Sequence, residues 1–169
     1  QYSAFHQVLE RLERSGLSTG LRHCVSTGPL LLHPDWKMDM VRVGMLGYGF
    51  SVSAEAADRM GLHPIMRWCA KVVSVMELDK NESISYARIY QTAGREKIAV
   101  ISAGYADGYS RCFSNCAPIL LHDQLVTECG KICMDFSMAN VTNVPEVVPG
   151  DEAILLGDGV DHSVRADQL

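Results

Sequence analysis

No apolar run in this sequence approaches the roughly 18 residues that a membrane-spanning helix requires, and its first residues lack the basic-then-apolar order of a signal peptide. A membrane span and a secretory leader are therefore not expected, and the chain reads as cytoplasmic. It also lacks any surplus of positive charge: 15 Lys and Arg stand against 20 Asp and Glu, for a net charge of -5 and a pI of about 5.6. The basic residues are scattered, so there is no electrostatic footprint for nucleic acid or an anionic membrane. Internal repeats and low-complexity segments are absent. So is an initiating methionine: the chain starts at Gln1 and ends in Arg165-Ala166-Asp167-Gln168-Leu169, without a cap, a glycine or a charged tail. Truncation at both ends is the expectation.

What is present is the balance of a globular protein, with 169 residues of which 47% are hydrophobic and 21% charged. A chain of this size buries roughly 68–70% of its unfolded surface, so its core needs no metal or disulfide staple. Stability alone thus accounts for none of the six cysteines, Cys24, Cys69, Cys112, Cys116, Cys129 and Cys133. The last four form C-x3-C, twelve residues, C-x3-C, a pattern that can close a tetrahedral zinc site when each pair sits on a tight turn. Against zinc, the run Val126–Met134 reads as a strand, along which four residues span roughly 13 Å. Free thiols in a reducing compartment are the alternative, and no metal is expected.

Along the chain, Phe5, Val8, Leu9 and Leu12 recur at helical spacing opposite Glu10, Arg11, Glu13 and Arg14, with Gly16 as the stop; this predicts an amphipathic helix over 2–15. A short strand over 21–25, a loop through Gly28 and Pro29, and a strand over 38–45 follow. Ser53 is placed to cap a helix through Ala54–Met60 that stops at Gly61. Beyond Pro64 the spacing changes to short strands, predicted at 66–78, 83–90, 97–103, 118–121, 125–134, 137–141 and 152–156. The boundary falls near 61–64, dividing an α/β part (1–61) from an all-β part (62–169).

Four places could carry chemistry. Arg42 lies in an apolar run, with Gly44 two residues on, so it is read either as a buried cation awaiting an anion or as half of a core ion pair. Strand alternation puts Tyr86, Arg88 and Tyr90 on one face, where Tyr86 is either an acid–base group beside a cation or part of an amphipathic cover. Gly104-Tyr105-Ala106-Asp107-Gly108-Tyr109 is a glycine-bounded turn at a strand end, a site or an ordinary hairpin. Asp135, closing Cys133-Met134-Asp135, is a turn signal or a site carboxylate.

In order and spacing, Met38-Asp39-Met40-Val41-Arg42-Val43-Gly44-Met45-Leu46-Gly47-Tyr48-Gly49, Ser85-Tyr86, Gly104–Arg111 and Ile132-Cys133-Met134-Asp135 closely resemble alanine racemase. The resemblance implies the last units of a pyridoxal-phosphate-binding (β/α)8 barrel of TIM type over 1–61, then most of a C-terminal β-barrel-like domain over 62–169. It implies a head-to-tail homodimer with an active site shared between subunits, a small amino-acid substrate, and supply of D-alanine for peptidoglycan. It gives Arg42 to the cofactor's pyridine nitrogen, which stays unprotonated because a guanidinium does not release its proton. Gly44 and Met45 would present N–H groups to the phosphate, with Ser26 and Thr27 beside them. Tyr86 would be one of two bases on opposite faces of Cα, Met134 would seat the substrate carboxylate, and Tyr105 and Asp135 would line the way in.

The chain departs from the family pattern in places. His23-Cys24-Val25-Ser26-Thr27 stands where His-x-x-Asn-Ser is usual, so an amide is lost and a hydroxyl kept. Val43 replaces a proline, Gly47 a larger apolar residue, Ala87 a glycine, Ile89 a polar residue and Lys131 an arginine. The family's Schiff-base lysine belongs to the start of the barrel, and Lys37, Lys71, Lys80, Lys97 and Lys131 are not in its motif. The 169 residues alone are thus expected neither to hold the cofactor covalently nor to racemise anything. The alternatives are a racemase of serine or of a broader range of amino acids, a non-catalytic racemase-derived dimerisation or regulatory domain, and an unrelated partner-binding β module.

Overall fold

The computed structural model describes residues 1–166 and 169, so that Asp167 and Gln168 of the C-terminal stretch lie outside the described residues. The chain divides into two compact units, Gln1–Ile65 and Met66–Leu169.

The first unit opens with α1 (Tyr2–Arg14), as the helical spacing predicts. Leu9 is buried on its apolar face, and Glu10 pairs with His6 at 3.2 Å and Arg14 at 3.3 Å on the other. The helix closes through Gly16 at φ +72°, with the Gly16 and Leu17 N–H groups donating back to Glu13 and Leu12. Beyond it, Arg22 grips Asp39, its Nε 2.9 Å from Oδ2 and its Nη2 3.3 Å from Oδ1. These bonds hold the Asp39 carboxyl well below the usual range, at about 2.

The expected strands over 21–25 and 38–45 do not form. They meet at one parallel bridge, Ser26 to Arg42, with the Arg42 N–H donating to Val25 O at 3.0 Å. An extended segment becomes a strand through its neighbours, and here the two share only scattered bonds, with the Asp39 and Met40 N–H groups donating to Arg22 O at 3.0 and 3.3 Å besides that bridge. The expected loop at Gly28 and Pro29 is instead helix α2 (Thr27–Leu32). Glycine and proline read as breakers, but in a first turn proline removes an N–H that has no helical partner anyway. Two 3₁₀ turns follow, Pro34–Trp36 and Met45–Tyr48. Gly49 is required where it stands, at φ +81° with its missing Cβ site 1.9 Å from His63 O. Ser53 caps α3 (Ala54–Arg59) as expected, its Oγ accepting from the Ala56 N–H at 3.2 Å.

The second unit contains β1 (Trp68–Leu78), β2 (Ser83–Ile84), β3 (Tyr90–Gln91), β4 (Glu96–Ile101), β5 (Pro118–Leu121), β6 (Gln124–Thr127), β7 (Ser137–Asn140), β8 (Glu152–Asp158) and β9 (Ser163–Val164). The all-β expectation holds. Six strands order as β6-β5-β8-β1-β4-β7, all antiparallel, with β9 added beside β8. The long β1 makes this curvature possible: its first residues pair with β8, its last with β4, and the register shifts between Val72 and Ser74. The outer strands then nearly meet, for Glu128 bridges Ala139 and the Cys129 N–H donates to Met138 O at 2.8 Å. The result is a nearly closed antiparallel barrel around Val72, Ile101, Tyr109, Ile119, Leu121, Ile132, Val141 and Leu155. A smaller cluster of Leu120, Ile154 and Val164 covers the other face of β5 and β8, which is why the β8 sequence is continuously apolar.

Two predicted strands are shorter than expected for a reason that matters to the site. The segment 83–90 is broken into β2, a 3₁₀ turn Tyr86–Arg88 and β3, so Tyr86, Arg88 and Tyr90 do not share a strand face. The segment 125–134 leaves the sheet after Thr127. Cys129 and Cys133 therefore lie beyond the strand, and the strand-length argument against zinc has no basis. Cys129 is buried, Cys133 half-buried, and Cys112 and Cys116 exposed. Among the described residues no three His, Cys, Asp or Glu side chains converge to hold a metal, and no helix is long and apolar enough to cross a membrane.

Candidate active site

In the second unit three loops are fastened to one another. The first carries Tyr86, which is 71% exposed. Its backbone is strained on both sides of that residue: Ser85 has φ +63° and ψ −171°, Ala87 φ +61° and Arg88 φ +52°. Non-glycine residues in such conformations cost roughly 1–3 kcal/mol each and persist only where surrounding contacts hold them. The left-handed backbone at Ala87 also gives a physical reason for glycine there in the pattern the sequence resembles.

The holding contacts are specific. Ser85 Oγ donates to Lys131 O and lies 3.4 Å from Cys133 Sγ. Behind it Gly130, at φ +88°, leaves its missing Cβ site only 3.0 Å from Ser85 Cβ. On the far side, Asn115 Nδ2 donates to Ile89 O at 3.2 Å while its Oδ1 accepts from the Gly130 N–H at 2.5 Å. Asn115 is itself seated by Glu128, whose Oε2 accepts the Asn115 N–H. Glu128 is 1% exposed, and burial pushes its carboxyl up to about 7.

The second loop is the 3₁₀ turn Tyr105–Asp107. Asp107 Oδ2 accepts from the Gly104 N–H at 3.0 Å, and Arg111 stacks 5.6 Å from the Tyr105 ring centre. The third is the turn Cys133–Phe136, closed by the Cys133 N–H donating to Phe136 O at 2.8 Å. The two join directly, the Tyr105 and Ala106 N–H groups donating to Cys133 O and Met134 O at 3.0 Å each. Only glycine fits at 104, where a Cβ would stand 2.3 Å from Met134 O. Tyr86, Tyr105, Met134 and Asp135 thus lie on contiguous loops, all exposed.

In the first unit the bridge between Ser26 and Arg42 brings two candidate segments side by side. Arg42 is exposed rather than buried as its apolar neighbours suggested, because no sheet forms around it; its guanidinium rests against His23 Nδ1 and lies 3.4 Å from His23 O. Thr27 is 5% exposed and its Oγ1 has no hydrogen-bond partner. Gly44 precedes the turn Met45–Tyr48, whose first N–H groups have no partner within it, and the space around Gly44 is open.

Sequence reasoning missed Asn115 and Glu128, and it named His23 within its motif without giving it a role. A carboxylate within the apolar run 125–134 was a signal for Glu128, of the same kind as Arg42 among apolar neighbours. Nothing local distinguishes Asn115 from an ordinary turn residue, although asparagine tolerates the left-handed φ of +61° found there.

The family described as alanine racemase, C-terminal domain matches residues 65–169. The chain belongs to the alanine racemase family. The family's N-terminal domain matches residues 1–52. The alanine racemase of Desulfovibrio desulfuricans is 38% identical over 157 residues, which are 93% of this chain and 42% of that protein. Among solved structures, alanine racemase from Streptomyces coelicolor superposes with a TM-score of 0.90 at 30% identity, over 99% of this chain and 44% of that one. Alanine racemase from Bartonella henselae with covalently bound pyridoxal phosphate superposes with a TM-score of 0.80 at 26% identity, over 93% and 42%. The chain therefore spans about two-fifths of the length of the relatives it matches.

Proposed function

We propose that this chain is the C-terminal portion of a cytoplasmic alanine racemase, with residues 1–61 contributing the end of a cofactor-binding (β/α)8 barrel and 62–169 the domain that carries the base Tyr86. The observation that carries the reading is the strained loop that presents an exposed Tyr86 beside Tyr105, Met134 and Asp135.

The first unit's residues fit pyridoxal phosphate. Thr27 has a buried hydroxyl without a partner, and Gly44 and Met45 open a turn into free space, which suits a phosphate. Ser26 and Thr27, with the Gly44 and Met45 N–H groups, would hold that phosphate, and Arg42 the ring nitrogen. When bound, the cofactor draws electron density from the Cα of an amino acid and so weakens its C–H bond.

The protein's own residues do the rest. Tyr86 takes or returns the Cα proton on one face, while a second base serves the other, so that the configuration inverts. Met134 seats the substrate carboxylate, and Tyr105 and Asp135 narrow the approach. The Tyr86 loop would act in the active site of the other subunit of a homodimer, and the substrate is alanine. Lacking the covalent lysine, these 169 residues alone are inactive.

The test is a chimaera in which this chain replaces the matching C-terminal portion of the Streptomyces coelicolor racemase. Tyr86→Phe in it is expected to lower kcat for alanine about 100-fold or more, the scale of a lost general base. Unchanged turnover would reject Tyr86 as a base, and racemisation by the isolated chain with added pyridoxal phosphate would reject its dependence on a missing lysine.

A further inference from the structure

An exposed side chain such as Tyr86 keeps one place on a strained loop only where other groups hold that loop. Ser85, Ala87 and Arg88 all have left-handed φ values, and the loop would relax to ordinary conformations if released. Ser85 Oγ ties the loop's start to Lys131 O. Its end has a different tether. Asn115 lies far away in sequence, and its amide satisfies two backbone groups at once: the donor goes to Ile89 O at 3.2 Å and the acceptor receives the Gly130 N–H at 2.5 Å. That bridge joins the Tyr86 loop to the segment leading into Met134 and Asp135. Asn115 is in turn fixed by its own N–H, donated to the buried Glu128 carboxyl. The wiring also fixes the amide's orientation, since a flipped side chain would face donor to donor and acceptor to acceptor.

We propose that Asn115 is a positioning residue for Tyr86, clamping the end of the strained 85–89 loop to the Gly130 turn so that the phenol is presented at one place relative to Met134 and Asp135. The proposal rests on the reading of Tyr86 as a base. It does not make Asn115 a catalytic residue, for Asn115 acts only through the loop.

Two variants separate the clamp from backbone strain. Asn115→Gly removes both side-chain bonds while keeping the left-handed φ free of strain. Asn115→Asp keeps the acceptor for Gly130 and sets a carboxylate oxygen, which repels a carbonyl, where the donor to Ile89 O stood. The 169-residue chain is treated with trypsin under native conditions, comparing cleavage after Arg88, in the loop, with cleavage after Lys97, in β4. Both variants are expected to speed cleavage after Arg88 about tenfold or more and to change cleavage after Lys97 less than about twofold. In the racemase chimaera, Asn115→Asp is expected to lower kcat about tenfold while the alanine KM shifts less than about twofold, since misplacement of a reacting group costs turnover more than binding.

Unchanged cleavage after Arg88, or an equal rise after Lys97, overturns the clamp. Faster cleavage after Arg88 with unchanged kcat overturns positioning. If Tyr86→Phe also leaves kcat intact, it is the assignment of the base that fails, and the proteolysis judges the clamp by itself.

Discussion

Of the buried apolar residues described, Leu9, Val25 and Ala57 alone belong to the unit Gln1–Ile65; all the others belong to Met66–Leu169. The first unit spends its side chains on surface pairs such as Arg22 with Asp39 and has one parallel bridge in place of a sheet. The second curls six strands into a nearly closed barrel with a continuous apolar centre. Both carry family motifs, but they differ in where strand partners come from. Every strand of the second unit finds its antiparallel partner within that unit, even where the partner is as distant in sequence as β8 is from β1, whereas strands of a parallel barrel need crossover units on either side. The same contrast separates the candidate sites, since the Tyr86 loops are cross-linked by side-chain bonds from Ser85 and Asn115 while the Arg42 guanidinium is placed by His23.

The two tryptophans make the contrast measurable. Trp36 stacks between Tyr2 and His33 in the first unit, and Trp68 meets Tyr109 edge-on in the second. Leu155→Ala, which hollows the barrel at a residue 0% exposed, is expected to cost about 4 kcal/mol in the urea transition seen by Trp68 in a Trp36→Phe background. Leu9→Ala read by Trp36 in a Trp68→Phe background should cost about 2 kcal/mol, the low end for a buried leucine, because its surroundings are open enough to collapse. If both tryptophans report one shared transition, the contrast breaks.

Glycines give the next comparison. Gly104→Ala drives a Cβ into Cys133 O and Met134 O and should cost about 3 kcal/mol. Gly44→Ala meets nothing within 4 Å and should stay within about 0.5 kcal/mol. Equal losses would mean that the first site is as tightly built as the second.

pH should act on the two units in different windows. The Glu128 carboxyl is raised by burial from 4.5 to about 7, so ionising it costs the folded state more than the unfolded one. On this account the second unit loses up to about 3 kcal/mol as pH rises from 4.5 toward 7, while Asp123 and Asp151, both lowered by hydrogen bonds from backbone N–H groups, withdraw stability only as pH falls below 3.8. Glu128→Gln should flatten that slope. Asp39, lowered from 3.8 to about 2 by Arg22, works the other way: its contribution is complete above 3.8 and is lost as pH falls through 2. Parallel pH profiles for Trp36 and Trp68 would refute this separation. Ala87→Gly, which relieves a φ of +61°, should stabilise the second unit by about 1 kcal/mol.

The sequence alone was sufficient for helix α1, for the Ser53 cap, for the change of texture after Pro64 and for the family, because helical spacing, capping chemistry and motif order are local properties. It was sufficient to mark Tyr86, Tyr105, Met134 and Asp135, but not to place them together. The run 83–90 has strand-like residues throughout, yet Tyr86 sits in a 3₁₀ turn, since Lys131 O and Asn115 hold the backbone where local preference would not. Likewise the apolar run around Arg42 carries full strand propensity and makes one bridge. Tertiary structure decided both cases for the same physical reason: a strand or a strained loop exists through hydrogen bonds to distant backbone, and the partners of those bonds are not encoded within the segment itself.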